Sequence, residues 1–148
     1  LLSLLNEFNP MKTIKKAFIL LLLIAGGNEL YSQDYRFITT GVSVSEKDKK
    51  GKWSDYTDFK KAEIIVNLNT DKNRIMIYSN VEQLFRIVEY YDKKSTPTDD
   101  IASFQCVTND GENCVVSIYT RKNQGNRKQL YIYYKDRIIV YNMKYLKN

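Results

Sequence analysis

The stretch QLYIYYKDRIIVYNMKY, residues 129–145, decides the fold of this chain. Two runs rich in Tyr, Ile and Val meet at Lys135-Asp136, and a two-residue loop there would place Tyr134 opposite Arg137. Because side chains alternate along a strand, one face of the hairpin would hold Leu130, Ile132, Ile139, Tyr141 and Met143. The other face would hold Tyr131, Tyr133, Ile138 and Val140. Both faces are apolar, so the pattern predicts a β-hairpin that the rest of the chain covers on both sides.

Six earlier stretches also have strand patterns, and short polar turns join most of them. They cover residues 35–44, 62–69, 74–79, 83–91, 101–108 and 114–121. Gly41 within the first stretch indicates a bulge or a close backbone approach. The predicted fold class is all-β, an antiparallel up-and-down meander of about eight strands that closes into a small barrel or curls into a sandwich.

Residues 81–91 allow two interpretations. Apolar side chains recur at helical spacing in Val81, Leu84, Phe85 and Val88. Against a helix, the run FRIVEYY is dense in β-branched and aromatic residues and lies among strands. We therefore predict a strand over residues 83–91.

The first 32 residues have the features of an export signal. Residues 1–10 precede the first methionine and are interpreted as translation upstream of the true start. From Met11, three lysines precede an apolar run, residues 17–25, that is shorter than the ~20 residues needed to span a bilayer. We expect residues 11–32 to be a secretory signal peptide. Residues 33–148 would then be a single all-β domain, exported to the periplasm or outside the cell.

The composition argues against catalysis. Residues 33–148 carry 20 basic and 15 acidic side chains, a net charge of +5, and the two signs are interspersed as on a solvated surface. Histidine is absent from the chain, which removes the commonest general base and the commonest zinc ligand. We expect no enzymatic activity, no cofactor and no metal.

The two cysteines, Cys106 and Cys114, flank a turn at Asp110-Gly111. A turn with an odd number of residues would place them directly opposite one another, at a Cβ separation of ~4.5–5.5 Å that approaches disulfide geometry. An even number would put them out of register. Because an exported protein meets an oxidising compartment, we predict a disulfide between them.

Three groups of polar residues are candidate sites with simpler structural explanations. Asn109, Asp110 and Glu112 lack the alternating ligands of an EF-hand calcium loop and are better explained as turn residues. The pairs Asp55 with Asp58 and Asp99 with Asp100 lie in polar loops, where nothing indicates the raised pKa that acid–base catalysis requires.

Basic and aromatic side chains are neighbours at the start of the last hairpin. The group comprises Arg121, Lys122, Arg127, Lys128, Tyr131 and Tyr133. Nucleic-acid-binding barrels use such a mixture for phosphates and stacked bases. The same residues also suit a charged hairpin end beside a tyrosine-rich strand face, and export favours that explanation, so a nucleic-acid partner is not expected.

Gly51-Lys52-Trp53 resembles the Gly-x-Trp sequence of the lipocalins, in which the Trp closes one end of an eight-stranded barrel. The resemblance covers this tripeptide and the strand count, and it departs from the family because a strand precedes the tripeptide. It implies a calycin-like barrel with a ligand-binding lumen. The lumen candidates are Trp53, Phe85, Ile132 and Tyr141.

Three functions follow as expectations. The apolar set Tyr131, Tyr133, Ile138 and Val140 would mark a protein–protein interface, or a homodimer contact, if nothing else in the chain covers it. The segment around Trp53 could supply that cover. An apolar ligand inside the barrel is the alternative, and a carboxylate-dependent hydrolase is a remote third.

Overall fold

The computed structural model describes residues 33–147, which form strands β1 to β10 and one short 3-10 helix. The strands are β1 (Asp34–Glu46), β2 (Lys60–Lys61), β3 (Ile65–Asn69), β4 (Arg74–Tyr78), β5 (Glu82–Tyr90), β6 (Lys94–Ser95), β7 (Asp99–Thr108), β8 (Asn113–Arg121), β9 (Arg127–Tyr133) and β10 (Arg137–Leu146). The helix, Lys122–Gln124, lies between β8 and β9. Residues 1–32, with the predicted upstream segment and signal peptide, lie outside the described residues.

Eight of the strands close into an antiparallel up-and-down barrel. Each pairs with its neighbour in chain order, from β1 and β3 through β4, β5, β7, β8 and β9 to β10. The barrel closes because β10 also pairs with β1, over a register that runs from Arg36 with Leu146 to Glu46 with Arg137. This confirms the predicted fold class, and of its two forms the chain adopts the barrel.

The last hairpin has the predicted register. Ile132 pairs with Ile139 and Leu130 with Tyr141, and the Tyr134 amide donates to the Arg137 carbonyl at 2.9 Å across the two-residue loop. The face that holds Ile132 and Tyr141 packs into the barrel core, where Ile132 is fully buried. Residues 82–90 form β5, so the strand interpretation of this segment is confirmed.

The bulge predicted at Gly41 is present in β1. The pairing with β10 shifts by one residue between Thr39 and Gly41. Before the shift, Thr39 pairs with the core residue Met143, and after it Val42 pairs with Tyr141. Because one extra residue reverses the alternation, Ser43 and Ser45 point to the outside of the barrel.

The predicted disulfide is absent, although the register that motivated it is correct. Cys106 and Cys114 are directly paired across β7 and β8, yet both are free thiols that are buried in the core. Burial raises the pKa of Cys106 to about 12 and that of Cys114 to about 11. Since oxidation proceeds through the thiolate, this environment opposes formation of the bond.

No helix within residues 33–147 is long and apolar enough to cross a membrane.

Candidate functional site

The segment Trp53–Phe59 carries three aromatic residues at a regular interval. Its sequence repeats the triplet aromatic, Ser or Thr, Asp: Trp53-Ser54-Asp55, then Tyr56-Thr57-Asp58, then Phe59. A period of three fits neither a strand nor a helix, so sequence patterns assign the segment to neither element. The repeated triplet was the signal that could have revealed the segment's structure.

Each triplet makes the same hydrogen bonds to β1. The Ser54 amide donates to the Glu46 carbonyl at 2.7 Å, and the Ser54 hydroxyl accepts the Glu46 amide at 3.0 Å. Ser45 completes the unit, because its hydroxyl donates to the Ser54 carbonyl at 2.7 Å. The segment is thus attached to β1 through backbone and side chain together.

Three residues further on, Thr57 repeats this arrangement. Its amide donates to the Val44 carbonyl and its hydroxyl accepts the Val44 amide, both at 3.0 Å. The Ser43 hydroxyl donates to the Thr57 carbonyl at 2.5 Å. Every three residues of the segment therefore advance along two residues of β1, which is the geometry of successive bulges.

This pairing lines up the three rings. In a regular strand, residues three apart point to opposite faces, whereas here each bulge restores the same side. Phe59 lies against the outer side of Gly41, where an added Cβ would approach the Phe59 ring to 3.5 Å. At two β1 residues per triplet, the attachment points of successive aromatic residues repeat about every 6.8 Å along β1. We call Trp53, Tyr56 and Phe59 the aromatic ridge.

The aromatic ridge is solvent-accessible. Trp53, Tyr56 and Phe59 are 38%, 51% and 48% exposed, and all other residues from 47 to 61 are exposed as well. Lys47 pairs with Trp53 and holds its ammonium 5.2 Å from the centre of the Trp53 rings. Side chains of this size are usually buried, so a continuous row of three on one rigid segment calls for an explanation.

A tyrosine cluster on β8 and β9 lies next to the ridge on the outer face. The Tyr119 and Tyr131 rings are 4.7 Å apart, the Tyr131 and Tyr133 rings stack at 5.7 Å, and the hydroxyls of Tyr119 and Tyr133 are 3.1 Å apart. Burial, with a smaller contribution from the Tyr119 hydrogen bond, raises the pKa of Tyr133. Tyr131 and Tyr119 contribute to the raised pKa of Tyr56, after burial, which places the cluster and the ridge within electrostatic reach.

The predicted interface residues are largely covered. Val140 is only 2% exposed although it lies outside the main core cluster, and it pairs with Ser43, to which the ridge segment is bonded. Tyr131, Tyr133 and Ile138 are half-buried. The exposed aromatic surface on this side of the barrel is therefore the ridge, which covers part of the predicted patch.

Three of the four predicted lumen residues are core residues. Phe85, Ile132 and Tyr141 pack in the cluster that fills the barrel, each at most 6% exposed. Trp53 is not in the lumen, because it belongs to the outer ridge. β1 ends before the tripeptide and the chain turns at Gly51, which has a φ of 82°, so that Trp53 pairs with Lys47 and is 38% exposed.

A cavity of about 270 Å³ opens at the end of the barrel where the β4–β5, β7–β8 and β9–β10 turns meet. Phe85 and Tyr134 form part of its apolar lining, and Glu112 and Arg137 lie at its edge. Arg137 is fully engaged, since it donates to both Glu112 oxygens at 3.0–3.1 Å and lies 3.7 Å from the centre of the Tyr134 ring. Glu112 is thereby committed to an ion pair.

The basic residues considered for nucleic acid have partners within the barrel. Arg121 donates to Asp99 at 3.0 Å and to the Tyr131 hydroxyl at 3.1 Å, and Lys122 lies 3.3 Å from Asp100. Lys128 donates to the Thr120 hydroxyl at 2.9 Å, and its burial lowers its pKa. Arg127 donates to Gln124 and Asn142. These contacts hold the basic side chains in ion pairs and hydrogen bonds within the protein.

Asp99 and Asp100, one of the two pairs considered for acid–base chemistry, both have a lowered pKa. The hydrogen bond from Arg121 holds the pKa of Asp99 below its ordinary value. Partial burial opposes this at Asp100, but hydrogen bonds from Ser95 and Lys122 leave its pKa below the ordinary value as well. Both groups act as ion-pair partners at the end of the barrel where the 3-10 helix joins β8 to β9.

Comparison of the chain with protein-family models, curated proteins and solved structures gives no match. The argument about function therefore depends on the geometry of the ridge and of the end cavity.

Proposed function

We propose that this protein is an exported, non-catalytic interaction module that binds another protein through the aromatic ridge. The observation that carries the proposal is the row of three aromatic side chains, about half exposed, on a segment fixed by repeated hydrogen bonds. Trp and Tyr dominate the energetic centres of protein interfaces. A fixed backbone also lowers the entropy lost when such side chains are immobilised by a partner.

The neighbouring tyrosines support the ridge. The Tyr119 and Tyr133 hydroxyls are hydrogen-bonded to each other, and the Tyr131 ring stacks on that of Tyr133. Arg121 lies 4.5 Å from the centre of the Tyr119 ring. Because these side chains already have contacts within the barrel, we assign them a supporting role beside the ridge. The ridge itself contacts the partner protein.

Photo-crosslinking tests this proposal at a single position. Benzoylphenylalanine replaces Tyr56 in protein expressed and exported in its own cells, and the matched control places it at Tyr78. Tyr78 is an exposed tyrosine of β4 outside the ridge, with 44% exposure against 51% for Tyr56. We expect a discrete crosslinked protein from position 56, absent from position 78, and lost when Phe59→Ala is added.

Identical crosslinks from positions 56 and 78, or crosslinks from position 56 that survive Phe59→Ala unchanged, would contradict a ridge-directed interaction. Far-UV and near-UV circular dichroism of each variant shows that the barrel is intact. Phe59 lies outside the main core, so its truncation leaves the barrel packing in place.

The end cavity supports a second candidate, a calycin-like barrel that holds a small ligand at its mouth. Its volume of about 270 Å³ lies just under the ~300–1,000 Å³ of ordinary small-molecule sites. Phe85, one of the predicted lumen residues, contributes to its lining. A ligand here would sit at the end of the barrel, since core side chains occupy the interior.

A further inference from the structure

The spacing of the aromatic ridge matches one kind of partner backbone. Each aromatic residue corresponds to two residues of β1, so the backbone positions of Trp53, Tyr56 and Phe59 repeat at about 6.8 Å. Alternate side chains of an extended strand recur at the same ~6.6–6.8 Å, whereas a helix repeats every ~5.4 Å. An extended chain lying along the ridge meets each ring in the same way, and a helix does not.

The charges along the ridge also repeat. Asp55 falls between Trp53 and Tyr56 in the chain, and Asp58 falls between Tyr56 and Phe59. Both aspartates are exposed, and neither forms an ion pair within residues 33–147. A carboxylate next to aromatic faces is a favourable place for an ammonium or guanidinium group, through the ion pair and the cation–π interaction together.

The two ends of the ridge have the opposite sign. At one end, Lys52 precedes Trp53 and the Lys47 ammonium lies over its ring. At the other end, Lys60 and Lys61 follow Phe59, and Lys61 is paired with Glu63 at 3.5 Å. These lysines repel further cations and attract carboxylates, so positive charge on a bound chain is favoured only at the two central positions.

From this pattern we propose that the partner presents an extended segment with two basic side chains, two residues apart, flanked by acidic residues. The basic groups enter the gaps between successive rings and pair with Asp55 and Asp58, and the acidic residues meet the lysines at either end. The inference rests on the proposed function, because it names the chemistry of the protein segment that the ridge binds.

The test uses the acetylated, amidated peptide Asp-Thr-Arg-Thr-Arg-Thr-Asp. Trp53 is the only tryptophan of the chain and the peptide has no aromatic residue, so tryptophan fluorescence reports binding at the ridge directly. One control peptide has the same composition with the arginines three residues apart, and a second has the charges reversed. We expect both controls to bind at least about tenfold more weakly, since each loses a cation–π contact and an ion pair.

Protein variants test the same contacts from the other side. Asp55→Asn and Asp58→Asn should each lower the affinity for the designed peptide by roughly threefold, because a single exposed ion pair contributes little to binding. Asp71→Asn is the matched control, an exposed aspartate in the β3–β4 turn far from the ridge, and should leave the affinity unchanged. Asp55 and Asp58 are exposed, so both variants should fold.

Equal binding of the peptide and its spacing control, or no fluorescence change with any peptide, would overturn the inference. Unchanged affinity in both Asp→Asn variants would do the same. These results leave the proposed function intact if a crosslink at Tyr56 still depends on Phe59. If that crosslink is lost while the peptide still binds, the proposed protein partner is refuted. The preference of the ridge for an extended basic chain would still be supported.

Discussion

Cys106 and Cys114 show how the environment of one side chain changes its chemistry. Both thiols are nearly inaccessible, at 0% and 3% exposure, in the apolar core between β7 and β8. Burial is the largest cause of the rise in pKa from 9.0 to about 12 for Cys106 and to about 11 for Cys114. The folded protein therefore keeps both protons well above the pH at which an unfolded chain loses them.

This difference predicts a loss of stability in alkali. From pH 9 upwards the unfolded thiols ionise and the folded ones do not, so unfolding releases protons and each thiol lowers stability by up to about 1.4 kcal/mol per pH unit. The contribution is complete below pH 9 and is lost as the pH rises toward 11. Urea unfolding between pH 8 and pH 10.5 measures the slope.

The double variant Cys106→Ala, Cys114→Ala is the control for this slope. It should be less stable at pH 8, because truncation leaves space in the core. Its stability should nevertheless fall less steeply with pH than that of the wild type. Parallel curves would show that other groups, such as Tyr35 and Tyr134 with pKa values of about 12, account for the alkaline loss.

At the scale of elements, the ridge segment depends on hydrogen bonds from side chains. The Thr57 hydroxyl accepts the Val44 amide, a bond that regular strand pairing would have made with a carbonyl. Thr57→Val keeps the shape and removes the acceptor, and we expect it to lower the free energy of unfolding by about 0.5–1.5 kcal/mol. Hydrogen exchange should become faster at the Val44 amide.

Thr40→Val is the matched control in β1. Thr40 is exposed and its hydroxyl makes only a 3.4 Å contact with the Asn142 carbonyl, so stability and exchange should change little. If Thr57→Val and Thr40→Val behave alike, the side-chain bonds are not what attaches the segment.

Sequence patterns predicted the elements that follow a period of two. The last hairpin was predicted with its register, because both runs alternate regularly and Lys135-Asp136 leaves a two-residue loop. Gly41 indicated its bulge. The ridge was not predicted, because its three-for-two pairing breaks the alternation on which strand prediction depends. A polar loop and a bulged, bonded segment have the same composition.

At the scale of the whole molecule, long-range strand pairing determines whether the strands form a barrel or a sandwich. A barrel and a sandwich share the same strand patterns, and the choice depends on β1 pairing with β10 about one hundred residues later. The same closure brings large side chains such as Phe37, Phe104 and Ile132 together, so the interior is filled with core residues. Space for a ligand is found at the end cavity.

Filling that cavity tests the calycin-like alternative. Gln83 pairs with the core residue Ile77, lies at the barrel mouth and is half-buried. Gln83→Trp should exclude any ligand, while Glu89→Trp, at an exposed position of the same strand, should not. Native mass spectrometry of protein purified without denaturant should show extra non-covalent mass in the wild type and in the Glu89 variant only. The same extra non-covalent mass in all three proteins, or none in any of them, would refute a ligand at this mouth.

Closure of the barrel also limits self-assembly through strand edges. Within residues 33–147 the strands that pair on one side only are β2 and β6, each two residues long. Lys60, Lys61 and Lys94 make up three of their four residues. Short, lysine-bearing edges are poor templates for another chain. A domain built almost entirely of strands thus has little open backbone from which fibrils or edge-to-edge aggregates could grow.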